Sequence, residues 1–521
     1  MTVPTTLNPK GDPMSLPTAS PESCGVSPRR IEAFIRALEE AKLSTHSVRI
    51  ARGSSLIFSH DWPPFTPDFL HRQYSVSKSF VSLAVGFAEQ DGLLRLDDPI
   101  AKYFPDECAG KTDTLMTSQT IRQMLMMSTA KKAMNWFDFC PTQDRVATYF
   151  NSPYPSRPAG TTFEYDSSGS FVLGALIERL TGMRFLDYLR KKVLRRIGFS
   201  EEAYCLRCPG GHSWGDSGIL CTADDLLLTA RFVLNGGSWD GEQLLNAEYL
   251  RLATTPQIDT DRDGARNWKN NGYGYQFWMG YGRSFYFNGL GNQIALCVPE
   301  KDLILVIQAD NQGKEKLSTM AAILDTFWNE IVKTAGDPLP EDPEGAVSLA
   351  DFVRPLKLFV QPGLPDVSLR KRVSGVTFEL DPNPMLIRSA CLTFEGDRGV
   401  FSWSNITGDH ELTFGIGENR FGPFPDPGEG YADEIGSVYV PGHSYRCAAS
   451  GAWTSPFQFH LKVQVIDKYF GTMDVVFGFS EREDGTPAIG IHFSKDAEDF
   501  LWGYEGVAGG RPADTSRHAY I

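Results

Sequence analysis

In Tyr74-Ser75-Val76-Ser77-Lys78-Ser79-Phe80 a hydroxyl stands three residues before an amine. Residues three apart on a helix are stacked neighbours, so the Lys78 amine can reach the Ser75 hydroxyl. Serine is a useful nucleophile only when a base takes its proton, and a free lysine, with a pKa of about 10.4, is already protonated. Burial at the base of a helix disfavours an ammonium, and so makes a lysine a usable base. The pair predicts attack on an amide or ester carbonyl by Ser75, with Lys78 taking the proton. At a helix N-terminus the backbone amide of Ser75 can also face the oxyanion that forms. Four letters say little alone, because a serine and a lysine three apart also occur on the surface of ordinary helices.

What surrounds the pair is less ordinary. Between Ser77 and Gln90 the residues Phe80, Val81, Leu83, Ala84, Val85 and Phe87 cover almost the whole circumference of a helix, the pattern of a centrally buried element. Upstream, Ser27-Pro28 caps a helix with Ile31, Phe34, Ile35 and Leu38 on one face, and a hairpin joins His46–Ala51 to Leu56–Ser59. A helical middle follows over Thr120–Met127, Gly169–Leu180, Phe185–Ile197 and onward from Thr222. Strand pattern returns at Ser284–Phe287, Ile294–Val298 and Leu303–Gln308, and Leu317–Val332 reads as an amphipathic helix. Strands at both ends of a region with helices between them predict one antiparallel sheet flanked by helices and carrying a helical lobe. That α/β unit spans residues 20–335, after an N-terminal arm over 1–19.

The proline-rich acidic stretch at 336–350 reads as a linker. Beyond it, residues 351–521 carry successive strand patterns: Val376–Leu380, Ala390–Phe394, Gly399–Ser404, Glu411–Phe414, Phe457–Val465, Met473–Phe479 and Ala488–Phe493. Polar, glycine-bearing turns separate them, which predicts an all-β antiparallel barrel domain. Its Trp403, Trp453, Phe457 and Phe459 are expected in the core.

With Gly92-Leu93-Leu94-Arg95-Leu96-Asp97-Asp98-Pro99-Ile100 after the buried helix, the chain resembles the serine β-lactamase and penicillin-binding-protein superfamily. The nearest branches are the class C-like carboxylesterases and the 6-aminohexanoate-oligomer hydrolases. Members carry Tyr-x-Asn or Tyr-x-Ser on a loop facing the nucleophile, and Tyr165-Asp166-Ser167 follows Pro158-Ala159-Gly160 in that setting. The resemblance implies that Tyr165 shares a proton with Lys78 and Ser75, and that Ser167 orients Lys78 or the substrate. It also places a glycine strand at Phe285-Tyr286-Phe287-Asn288-Gly289-Leu290, where Asn288 and Gly289 meet substrate and the Leu290 amide faces the oxyanion. Neither Lys nor His stands there to greet a substrate carboxylate. A hydrogen bond to a charged group is worth about 1.5–3 kcal/mol, so about ten- to a hundredfold of preference for such substrates is lost. The Gly289-x-x-x-Gln293 ending resembles the amide-oligomer and esterase branch instead. Some members end in a lipocalin-like barrel, which the strand-rich C-terminal region resembles.

Gly211-His212-Ser213-Trp214-Gly215 satisfies the G-x-S-x-G pattern of a different nucleophile, one that needs a buried strand directly before it and a helix directly after. Neither is patterned there. Cys205-x-x-Cys208 with His212 lacks the fourth ligand of a structural zinc site. No metal or cofactor is expected to be required.

The chain has 521 residues, 41% of them apolar and 22% charged, with a net charge of −14. That composition suits a soluble globular protein and excludes a phosphate-backbone partner, which demands a basic face. No run of 18 apolar residues occurs, and the first residues lack a basic stretch followed by an apolar one. Nine scattered cysteines fit reduced thiols. The expectation is a cytoplasmic serine hydrolase of small amides or esters, bound to neither membrane nor nucleic acid, with homo-oligomerisation open. Alternatives are an acyltransferase or peptidase using the same acyl-enzyme, or a non-catalytic ligand-binding protein of the same fold.

Overall fold

The computed structural model describes residues 16–131, 144–208, 210–261, 267–313, 316–425, 444–481, 487–497, 501 and 503–513. Most of the expected N-terminal arm lies outside these residues. The chain forms two units, one holding residues through Asn311 and returning for Leu317–Lys357, the other built mainly from Leu358 onward.

The first unit is organised around one antiparallel sheet. Its strands are β1 (Thr45–Arg52), β2 (Ser55–Asp61), β3 (Trp278–Met279), β4 (Phe285–Gly289), β5 (Gln293–Val298) and β6 (Leu303–Ala309), in the spatial order β2-β1-β6-β5-β4-β3. The two halves of the sequence meet where β1 pairs with β6, with Val48 opposite Ile307 and Ile50 opposite Leu305. One face buries Val48, Ile50, Leu296 and Leu305 against Ile31, Phe34 and Ile35 of helix α1 (Pro28–Glu40) and Ile323, Leu324 and Phe327 farther along the chain. The other face packs on the helix Ala223–Leu234. Coverage on both sides explains why β5 and β6 read as continuous apolar runs rather than alternating ones.

The helical lobe centres on α2 (Ser77–Gln90), buried from Ser77 through Ala88. It packs against α3 (Ser167–Thr181) and the short helix Phe185–Leu189. The expected Thr120–Met127 helix is shorter, Ile121–Leu125, capped by Thr120 and Gln123 in a reciprocal box.

The stretch read as a linker is partly helical. Asp342 caps Pro343–Val353, accepting from the Gly345 amide, and Arg29 Nε reaches Asp342 Oδ2 at 2.7 Å. A proline at the first helical position lacks an N–H that would have no partner there, so Pro343 starts a helix where its composition reads as a spacer. Leu349 joins the core beside α1.

The second unit is a closed barrel of nine strands: β7 (Thr377–Leu380), β8 (Ser389–Glu395), β9 (Arg398–Ser404), β10 (Asp409–Ile416), β11 (Arg446–Ser455), β12 (Gln458–Ile466), β13 (Phe470–Glu481), β14 (Pro487–Ala497) and β15 (Gly506–Pro512). The ring runs β10-β9-β8-β7-β15-β14-β13-β12-β11 and closes through parallel pairing of β10 with β11 at Gly415–Ser450. Phe401, Trp403, Phe414, Trp453, Phe459 and Phe477 fill its interior. Phe457 is the exception to the expected core, 64% exposed at the turn between β11 and β12. Among the described residues no helix is long and apolar enough to cross a membrane.

Candidate active site

Ser75 sits in a single tight turn, Tyr74–Val76, that runs directly into α2. Tyr74 adopts φ +47°, a conformation that costs a bulky residue about 1–3 kcal/mol. Packing over-determines it: the ring is buried, and the Arg72 guanidinium lies 4.4 Å from its centroid. Ser75 itself is half-buried.

Lys78 is 1% exposed. Its amine lies 2.8 Å from Ser75 Oγ and donates to the Asp216 carbonyl at 2.7 Å. The expected neighbours are therefore in contact, and a backbone oxygen 138 residues away fixes the amine's direction. Arg72 holds the same loop through Nε to the Ser217 carbonyl at 3.1 Å.

Tyr165 also arrives. Its ring centroid is 5.0 Å from Lys78 Nζ, and Trp278 stacks on it at 5.8 Å. The Lys78 amine thus lies over the face of the Tyr165 ring. Asp166 caps α3, accepting from the Gly169 amide at 3.1 Å, Thr129 Oγ1 at 2.9 Å and Ser168 Oγ. Burial raises its carboxyl above the ordinary range, opposed by these donors. Ser167, half-buried, is the first residue of α3.

Asn288 and Gly289 end β4 beside the turn that carries Ser75, and Leu290 follows them. Gly289 is required for space, because a Cβ there would collide with the Gln73 carbonyl, two residues before Ser75. The turn to β5 uses positive φ at Gly291 (77°) and Asn292 (71°). Gln293 pins it, donating from Nε2 to the carbonyls of Leu290 (2.9 Å) and Ala309 (2.6 Å).

Beneath this segment lies a buried histidine pair. His71 Nδ1 faces the Arg72 carbonyl at 3.0 Å, His71 Nε2 meets His46 Nδ1 at 2.9 Å, and His46 Nε2 meets Ser44 Oγ at 3.3 Å. Burial pushes His71 down to about 3 and His46 well below the ordinary histidine range.

The alternative serine is placed differently. Ser213 is buried, joined to Arg207 only by an isolated bridge, and its amide donates to Glu178. No strand–turn–helix elbow presents it. Cys205 and Cys208 are both buried, and His212 Nδ1 is 2.9 Å from Glu178 Oε2.

Sequence reasoning missed Asp216, whose contribution is a carbonyl and leaves no side-chain signature. It also missed Gln73, Gln276 and Trp278; a glutamine amid the aromatics of Tyr273–Trp278 was the one available signal.

The profile of the family described as Beta-lactamase matches residues 31–326. Among curated proteins, the 6-aminohexanoate-dimer hydrolase of Paenarthrobacter ureafaciens is 23% identical over 296 residues, 53% of this chain and 75% of that protein. Penicillin-binding protein 4 of Amycolatopsis lactamdurans is 25% identical over 248 residues, 41% of this chain and 65% of its own. The octameric penicillin-binding protein homologue of Pyrococcus abyssi superposes with a TM-score of 0.46 at 15% identity, covering 92% of this chain and 99% of that one.

Proposed function

We propose, for a chain that belongs to the beta-lactamase family, that it hydrolyses a small amide or ester through an acyl-enzyme on Ser75. The observation that carries this reading is the buried Lys78 amine 2.8 Å from the Ser75 hydroxyl and anchored from behind by the Asp216 carbonyl. A buried amine held at hydrogen-bond distance is geometrically competent to take the serine proton.

Ser75 Oγ attacks the carbonyl carbon while its proton passes to Lys78. The resulting oxyanion is held by the backbone amides of Ser75 and Leu290. Collapse breaks the C–N or C–O bond, and the proton held by Lys78 passes, with Tyr165 as relay, to the leaving nitrogen or oxygen. Water then attacks the acyl-enzyme, gives up a proton to the same pair, and frees the acid and Ser75. Ser167, Asn288 and Gly289 line the substrate path. The missing cation on β4 favours acyl groups without a carboxylate beside the scissile bond. Linear amides are the first class to try, in keeping with the name of the Paenarthrobacter relative.

The test is fluorophosphonate labelling and p-nitrophenyl butyrate turnover of wild type and Ser75→Ala, with nitrocefin and a linear amide oligomer alongside. Labelling and turnover confined to wild type are expected, with nitrocefin a poor substrate. Equal labelling of both proteins would refute the nucleophile assignment, and rapid nitrocefin turnover would refute the substrate class.

A further inference from the structure

Gln276 stands outside the groups given a chemical role, yet it ties together the segments that carry them. It is 2% exposed and adopts φ +64°, a backbone conformation that favours glycine. Every polar group of its side chain is used. Nε2 donates to the carbonyls of Met124 (3.2 Å) and Leu125 (2.8 Å), and Oε1 accepts from Ser170 Oγ at 2.7 Å. Its own carbonyl accepts from Ser79 Oγ at 2.7 Å.

These partners are the neighbours of the reacting residues. Ser79 follows Lys78 on α2, and Ser170 lies in the first turn of α3, five residues after Tyr165. The segment after Leu125 supplies the Met127 carbonyl that accepts from the Glu164 amide at 2.8 Å. Two residues beyond Gln276, Trp278 stacks on the Tyr165 ring. One residue thus joins three segments: its backbone carbonyl holds the base of the Lys78 helix, and its side chain holds the start of α3, just after Tyr165, and the loop bracing Tyr165.

We infer that Gln276 is a positioning residue that sets the separation of Lys78 and Tyr165 and so the rate of proton transfer to and from Ser75. This rests on the Ser75 acyl-enzyme reading. A left-handed glutamine persists only where its surroundings hold it there, and here these four hydrogen bonds do so together with its own amide, which donates to the Leu125 carbonyl at 3.1 Å. A buried amide with every donor and acceptor engaged has one geometry, which is what a relay between two side chains on separate segments needs.

Gln276→Gly is the informative variant. Glycine accepts the φ value and leaves the Ser79 bond in place, so only the side-chain ties to Ser170, Met124 and Leu125 are cut. With p-nitrophenyl butyrate, kcat should fall about ten- to a hundredfold, the effect of an ångström-scale misplacement. KM should stay within about twofold, since the loss is in the transition state. The pH profile of kcat/KM should also move, which a purely structural role would not cause. Ser170→Ala cuts the α3 tie alone and should give a smaller fall in kcat that is not additive with Gln276→Gly.

Two outcomes overturn the inference, and fluorophosphonate labelling separates them. If wild type and Ser75→Ala label equally, the acyl-enzyme reading fails and the positioning role falls with it. If labelling is confined to Ser75 but proceeds at the same rate and with the same pH profile in wild type, Gln276→Gly and Ser170→Ala, the positioning role alone is wrong.

Discussion

His71 is held neutral in the folded protein by burial, against the opposing pull of the Arg72 carbonyl, which favours the charged form. The Arg72 carbonyl can only accept, so Nδ1 of His71 carries the proton and Nε2 is the acceptor. His46 must then donate from Nδ1, and its Nε2 accepts from Ser44. Both rings are almost fully buried, so an imidazolium at His71 would lose its hydration. Its pKa accordingly drops from 6.5 to about 3. That gap of about 3.5 units, at about 1.36 kcal/mol per unit, amounts to about 5 kcal/mol across the whole window. The sign follows from proton counts. Below about pH 6.5 the unfolded chain binds a proton at this histidine and the folded chain does not, so stability falls as pH falls. The slope is about 1.4 kcal/mol per pH unit for His71, and His46 adds in the same direction. Because His71 leads into the turn carrying Ser75, activity should fade along with stability. Urea denaturation followed by tryptophan fluorescence between about pH 7.5 and 5 measures the slope, and His71→Gln should reduce it by about one proton's worth. A wild-type stability that is flat over this range, or a variant that keeps the full slope, would show that the pair is not held neutral.

Gly289→Ala should lower kcat on p-nitrophenyl butyrate by about ten- to a hundredfold, because the new methyl must push β4 away from the Gln73 carbonyl and shift the Leu290 amide; wild-type kinetics would remove the close approach from the explanation. Asp166→Ala should cost about 1–2 kcal/mol in urea denaturation through loss of the α3 cap, with Asp166→Asn recovering part of it. A loss below about 0.5 kcal/mol would mean that the cap contributes little.

Ser75 and Lys78 were legible because a three-residue spacing on a helix is local, and local geometry is the same in every helix. The apolar circumference of α2 and the runs of β5 and β6 were legible for a related reason: burial on all sides leaves its mark on residue type. Legibility stopped where side chains carry no such mark. Strand β11 passes through Ala448-Ala449-Ser450-Gly451-Ala452, and β15 through Gly506-Val507-Ala508-Gly509-Gly510; small residues do not alternate visibly, though both strands are needed to close the barrel. The helix at Pro343 was hidden by a composition that suits a spacer equally well. In the candidate site, the type of each proposed reacting residue came from sequence, but its orientation did not. The Asp216 carbonyl behind Lys78, the Gln276 ties and the His46–His71 pair join segments between 25 and 197 residues apart. Periodicity reports which face of an element is buried. Which polar groups meet across loops depends on how the elements pack, and that is decided only when the whole unit closes.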